Sequence, residues 1–142
     1  MNMMEMVLAL FAVVFFTSLA ANYNRLVLDQ NEYLINATLH VQATQLCHAV
    51  LDEVDAKLFA RKLAYDDIVS TYDNTTRVID LNFPGDRYTL DIMSAYCDSV
   101  GNILAVDDTL AINRVVNVEA STSGLRVPVN LQRIYTKTHY YN

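Results

Sequence analysis

Residues 1–21 read MNMMEMVLALFAVVFFTSLAA, an apolar run that contains a single carboxylate, Glu5. No glycine or proline occurs before Pro84, and these two residues are the strongest breakers of a helix. The run therefore predicts one helix that continues to about Leu63, roughly 60 residues and 90 Å long at about 1.5 Å per residue. A chain of 142 residues cannot enclose such a rod in its own globule. We therefore expect lipid or other copies of the chain to cover the first half of the helix.

The composition narrows the functional class. The chain has the length of one domain and carries a net charge of −6, which disfavours a nucleic-acid partner. The sequence contains no phosphate loop, no dinucleotide fingerprint and no nucleophile motif. His40 and His48 are too far apart for a metal site. We accordingly expect neither an enzyme nor a bound cofactor or metal.

Residues 1–21 allow three interpretations. A secretory signal peptide requires basic residues before its apolar segment, but Arg25 is the first basic residue and Glu5 lies where they should be. A transmembrane anchor requires about 20 apolar residues, which the run supplies, although Glu5 then has no role. In the third interpretation Glu5 pairs with the amino group of Met1, in its own chain or in a neighbouring copy, because a buried charge requires a partner.

With Glu5 near the start of an apolar helix that continues into an amphipathic one, the chain resembles the type IV pilins and pseudopilins. The resemblance implies that a leader is removed before Met1, that the new terminus is methylated, and that Met1 and Glu5 act in assembly. It further implies an inner-membrane precursor, pilus or secretion machinery as a partner, and an extracellular filament of this one subunit. The alternative is a minor pseudopilin or other membrane-anchored accessory domain that forms no long filament. The family's usual first residue, Phe, and its helix-disturbing Gly and Pro are absent here.

Helical periodicity continues beyond the membrane-length segment. We assign residues 1–24 to the apolar segment and residues 25–142 to a globular head, formed by an amphipathic helix (25–64) and a β-rich region (65–142). Residues 17–24 hold several Ser, Thr and Asn residues and form the weakest helical part, where the helix either melts on assembly or continues unbroken. The predicted apolar stripe comprises two sets: Ala37, Thr44, Leu51 and Leu58, and Leu34, Val41, Cys47 and Val54.

After the helix the apolar period changes to two. Alternating segments with short connections predict an antiparallel sheet of about four strands that covers the helix stripe. Pro128 lies in the last alternating segment. Since proline cannot donate to a ladder, this strand should either lie at an edge or have the Pro128 nitrogen facing outward. The predicted fold class is thus α+β, a very long N-terminal helix whose second half packs on a small antiparallel sheet.

Two further features suggest covalent chemistry. Cys47 and Cys97 are either joined by a disulfide from the helix to a later strand or are two buried thiols. Two Asn-x-Thr sequons occur, at Asn36 and Asn74. Because glycans attach to exposed loops, Asn74 is the better candidate for glycosylation.

Overall fold

The computed structural model describes residues 2–82, 87–105 and 112–137. The chain divides into two units, Met1–Thr38 and Leu39–Asn142. The buried positions of the helix begin at Leu39. The boundary predicted after Asn24 separates a segment of membrane length from the head, and it stays a prediction.

The first unit is helical. It belongs to α1, which spans Met3–Phe59 and continues without interruption through residues 17–24. The Thr17 hydroxyl donates to the Val13 carbonyl at 2.7 Å, so this polar side chain is satisfied by the helix itself. The helix interior contains no Gly or Pro, which accounts for its continuity.

The second unit is an α+β head. It contains the end of α1, a short 3-10 helix at Tyr65–Asp67, and α2 at Ile68–Tyr72. Four strands follow: β1 Thr75–Asp80, β2 Arg87–Cys97, β3 Asn113–Ser121 and β4 Val129–Thr136. They form one antiparallel sheet in the order β1-β2-β3-β4. The predicted four-stranded antiparallel sheet and the α+β class are thereby confirmed.

α1 ends without a glycine. Arg61 adopts a positive φ of 54°, and the Lys62 N–H donates to the Lys57 carbonyl at 2.9 Å. This pairing across the helix end, with a left-handed residue between, is the usual way of satisfying the last carbonyls. It stops the helix a few residues before the predicted end at Leu63.

The core lies between α1 and one face of the sheet. From α1 it takes a stripe at spacings of three and four, as expected for one face of a helix. The stripe consists of Leu39, Ala43, Cys47, Val50, Leu51, Val54 and Leu58. The sheet contributes alternate residues, including Tyr88, Leu90, Ile92, Val116, Val118 and Ala120. The predicted stripe was right for Cys47, Leu51, Val54 and Leu58. It was wrong for Leu34 and Val41, which are 66 % and 55 % exposed, and for Ala37, which is also exposed; Thr44 is half-buried.

The first and last strands in the chain are the outer strands of the sheet. Among the described residues, β1 and β4 each pair with one neighbouring strand, and Pro128 comes directly before β4. The prediction that the last strand is an edge strand is correct. Pro84-Gly85-Asp86 is a turn signal in the sequence, and it lies outside the described residues.

Candidate functional site

The most unusual surface of the molecule is the apolar side of the first unit. Every large apolar residue between Met3 and Leu19 is at least 55 % exposed, and Met3 reaches 82 %. The surface of a monomeric soluble protein rarely has so much contiguous apolar area. The helix is long and apolar enough to cross a membrane, judged by length and composition. The set, called the apolar surface below, is Met3, Met4, Met6, Val7, Leu8, Leu10, Phe11, Val13, Val14, Phe15, Phe16 and Leu19.

Glu5 caps the start of this helix. The Asn2 backbone N–H donates to Glu5 Oε2 at 3.1 Å, and the Glu5 N–H donates to the Asn2 carbonyl at 2.8 Å. Asn at the cap position with Glu three residues later forms one half of a capping box. Glu5 thus satisfies a backbone donor of its own chain. Met1, its predicted partner, lies outside the described residues.

Ion pairs connect the C-terminal part of α1 to the two outer strands of the sheet. On one side Glu53 contacts Arg77 of β1 at 2.6 Å and Lys57, one turn along the helix, at 2.5 Å. On the other side Arg133 of β4 pairs with Asp52 at 3.1 Å and with Asp55. The guanidinium of Arg77, followed by the ammonium of Lys57, lowers the pKa of Glu53 to about 2. The pairs between α1 and the two strands were not predicted from the sequence, because their partners are far apart in the chain.

Of the two alternatives for Cys47 and Cys97, the structure has the second: both are free, buried thiols. Cys47 Sγ lies 3.6 Å from the carbonyl of Val118, whose partner across the sheet is Ile92. Cys97 is five residues farther along β2, about 16 Å away at about 3.3 Å per residue. Side chains alternate along an unbroken strand, so Cys97 also lies on the opposite face from Ile92. A disulfide requires Cα atoms within about 7 Å.

The two sequons occupy different environments. Asn36 lies within α1 and is half-buried. Asn74 is exposed in the turn between α2 and β1, with φ at 53°. The structure therefore places only Asn74 in the kind of turn that the sequence argument required.

Acidic groups do not form a metal centre in the part of the chain that the structure describes. No group of three or more His, Cys, Asp or Glu side chains is suitably placed there. Asp66, in the 3-10 helix, pairs with Arg114 at 3.6 Å and with Lys137 at 3.5 Å.

Comparison with known proteins returned no match to a family model, a curated protein or a solved structure. The architecture, a long apolar N-terminal helix and a small antiparallel sheet that packs on its later turns, is nevertheless pilin-like.

Proposed function

We propose that the chain is the structural subunit of an extracellular filament of the type IV pilus kind, and that it polymerises through its N-terminal helix. The observation that supports this most is the apolar surface, which no part of the described chain covers. In a membrane, lipid would cover it before assembly. In a filament, the same residues of neighbouring copies would cover one another.

The energetics favour a durable polymer. Each large apolar side chain that leaves water contributes about 1.5–3 kcal/mol, and the apolar surface contains twelve of them. Extraction from lipid removes much of this gain, since lipid tails are themselves apolar, and association has its own entropy cost. Close packing between helices must therefore provide the remainder. A repeated head-to-tail contact that does not close into a ring yields an open filament.

Glu5 is proposed to set the register between copies. Its carboxylate is exposed near the start of the helix and accepts one backbone hydrogen bond. A neighbouring copy displaced along the helix axis would bring the amino group of its own first residue, Met1, to the other carboxylate positions. Enclosure among apolar helices strengthens this pairing and makes it necessary, because an unpaired charge there is costly.

The second candidate is a membrane-anchored accessory domain that does not polymerise. The same helix, long and apolar enough to span a bilayer, supports it. In either case the chain has a structural or binding role, not a catalytic one, and its partners are other copies, the inner membrane and the assembly machinery.

Two substitutions at Glu5 separate assembly from helix capping. Glu5→Gln keeps an oxygen that accepts the Asn2 N–H but removes the charge, whereas Glu5→Ala removes both. We expect both variants to remain in the membrane fraction and both to lose filaments, scored by electron microscopy of sheared surface material with antibody labelling. Wild-type filament yield from Glu5→Gln would show that capping alone matters and would remove the proposed charge pairing.

The unsubstituted chain decides between the two candidates. Thin, regular filaments labelled along their length indicate the major subunit. A monomer that detergent extracts from membranes, with no labelled filament, indicates the anchored accessory domain. Mass spectrometry of the first peptide tests processing and methylation at Met1.

A further inference from the structure

Asn74 lines a groove on the face of the sheet that points away from α1, called the outer face below. The groove has a volume of about 210 Å³. Its walls come from the α2–β1 turn and from three strands. They include Asn74, Thr76, Asp91, Met93, Asn117 and Glu119.

The groove is rich in hydrogen-bond acceptors. Asp91 lies directly opposite Glu119 in the β2–β3 register, and like charges in that position repel each other. Neither carboxylate forms an ion pair with any described residue. The Asn117 Oδ1 atom is buried and has no hydrogen-bond partner within the described chain. A ligand that suits this groove must supply several donors.

The Asn74 side chain is chemically available at the same place. Asn74 is exposed, and its carboxamide makes no hydrogen bond to the described residues. Its left-handed backbone is one that asparagine tolerates well. Thr76, the hydroxyl residue of the sequon, is also exposed and donates to Asp91 Oδ1 at 2.7 Å. The sequon is thus presented on a turn and an edge strand, where an enzyme can reach it.

We propose that Asn74 carries an N-linked oligosaccharide whose first sugar units lie along this groove. Sugar hydroxyls and an acetamido N–H would donate to Glu119, Asp91 and the unpartnered Asn117 Oδ1. The Met93 side chain, 57 % exposed, offers an apolar contact for a sugar ring. The outer face is opposite the α1 stripe, so the glycan does not obstruct the core, and the proposal does not depend on filament formation.

The transfer is carried out by a membrane glycosyltransferase, and the co-reactant is a lipid-diphosphate-linked oligosaccharide. A bond forms between Asn74 Nδ2 and the anomeric carbon of the first sugar. The bond from that carbon to the phosphate oxygen breaks, and the lipid diphosphate leaves with the electron pair. One proton of Nδ2 passes to a base of the transferase.

Trypsin separates the two sequons and so provides an internal control. Cleavage at Arg25, Lys57, Lys62 and Arg77 places Asn36 in peptide 26–57 and Asn74 in peptide 63–77. In protein isolated from the cells that make it, we expect peptide 63–77 to carry the added mass on Asn74 and peptide 26–57 to be unmodified. Thr76→Ser keeps the sequon and should keep the glycan, whereas Thr76→Ala should lose it. An unmodified peptide 63–77 in the wild-type protein overturns the proposal.

A second measurement tests the groove. The unglycosylated reference is Asn74→Asp, since Asp also tolerates a positive φ. We expect the glycosylated chain to have a higher Tm than the unglycosylated reference. Glu119→Gln and Asn117→Ala should each remove most of this Tm difference. The same substitutions should change the Tm of the unglycosylated reference less than they change the Tm of the glycosylated chain. If both substituted proteins keep the full Tm difference between the glycosylated and unglycosylated chains, the proposed groove contact is wrong and the glycan extends into solvent.

Discussion

Glu53 of α1 and Arg77 of β1 form a two-pronged ion pair, with Nη1 2.6 Å and Nη2 3.2 Å from the two carboxylate oxygens. The Lys57 ammonium lies 2.5 Å from Oε1 of the same carboxylate. Such bidentate geometry is stronger than a single contact and fixes the planes of both groups. The pair therefore links the edge strand β1 directly to the helix.

Glu53→Gln should lower the free energy of unfolding of the head. About a third of each partner's side chain is exposed, so solvent screening reduces the loss to about 0.5–1.5 kcal/mol. Chemical denaturation in detergent solution, followed by circular dichroism, measures the change. Asp80→Asn is the matched control, because Asp80 pairs with Arg87 at 2.8 Å on a much more exposed surface. If the two variants lose the same free energy of unfolding, the bidentate Glu53 pair stabilises the head no more than an exposed ion pair does.

Acid should weaken the head through the same carboxylate. The pKa of Glu53 is lowered from 4.5 to about 2 in the folded chain, so the unfolded chain binds the proton more readily. The stabilisation is present above about pH 4.5 and is lost as the pH falls towards 2. As the pH falls from about 4.5 to about 2, the denaturant concentration at the midpoint of unfolding should fall in both proteins. We expect the fall to be smaller in Glu53→Gln than in the wild type. Parallel curves for the two proteins would contradict the assignment.

Both cysteines should behave as unreactive thiols in the folded protein. Burial raises the pKa of Cys47 and of Cys97, and the thiolate is the reactive form. Iodoacetamide at neutral pH should label neither residue in the folded chain and both after unfolding in guanidinium chloride. Non-reducing mass spectrometry should show no internal disulfide. Detection of a Cys47–Cys97 bridge in the folded chain would mean that the helix and β2 are aligned differently.

Gly124 should be intolerant of a side chain because of one neighbour. A Cβ at position 124 would lie 2.7 Å from Cδ1 of Leu39, which is 1 % exposed. Overpacking of this kind costs about 1–3 kcal/mol; since the obstacle is the end of a side chain, we expect Gly124→Ala to lie near 1 kcal/mol. Leu39→Ala is the partner for a double-mutant cycle measured by denaturation. The two losses should be less than additive, and strict additivity would exclude the steric explanation.

Some elements could be predicted because their cause is local. Alternation along residues 88–92 identified β2, and the absence of Gly and Pro before residue 84 identified the helix. The helix stripe was only partly right. Leu34 and Val41 are exposed because, at about 3.6 residues per turn, they lie on the other side of α1 from its buried residues. A spacing of seven residues indicates an apolar periodicity, but it does not show which side of the helix the sheet covers.

The candidate assembly residues and the candidate glycan site could likewise be named from the sequence, but their surroundings could not. The apolar run and Glu5 are visible in the first residues, and the sequon is visible at Asn74. The Asn2–Glu5 hydrogen bond and the acceptor-rich groove beside Asn74 came only from the structure. The groove combines residues from a turn and three strands, and pairing between strands brings them together.

The sequence by itself determined the class of fold and the presence of an apolar helix, since both follow from composition and from interactions a few residues apart. Only the tertiary structure decided that burial begins at Leu39 and that Glu53 and Arg133 reach the two sheet edges. It also decided that Cys47 and Cys97 are too far apart to bond. These outcomes depend on the register of four strands and on the rotation of the helix over them, which are set by packing between residues distant in the chain.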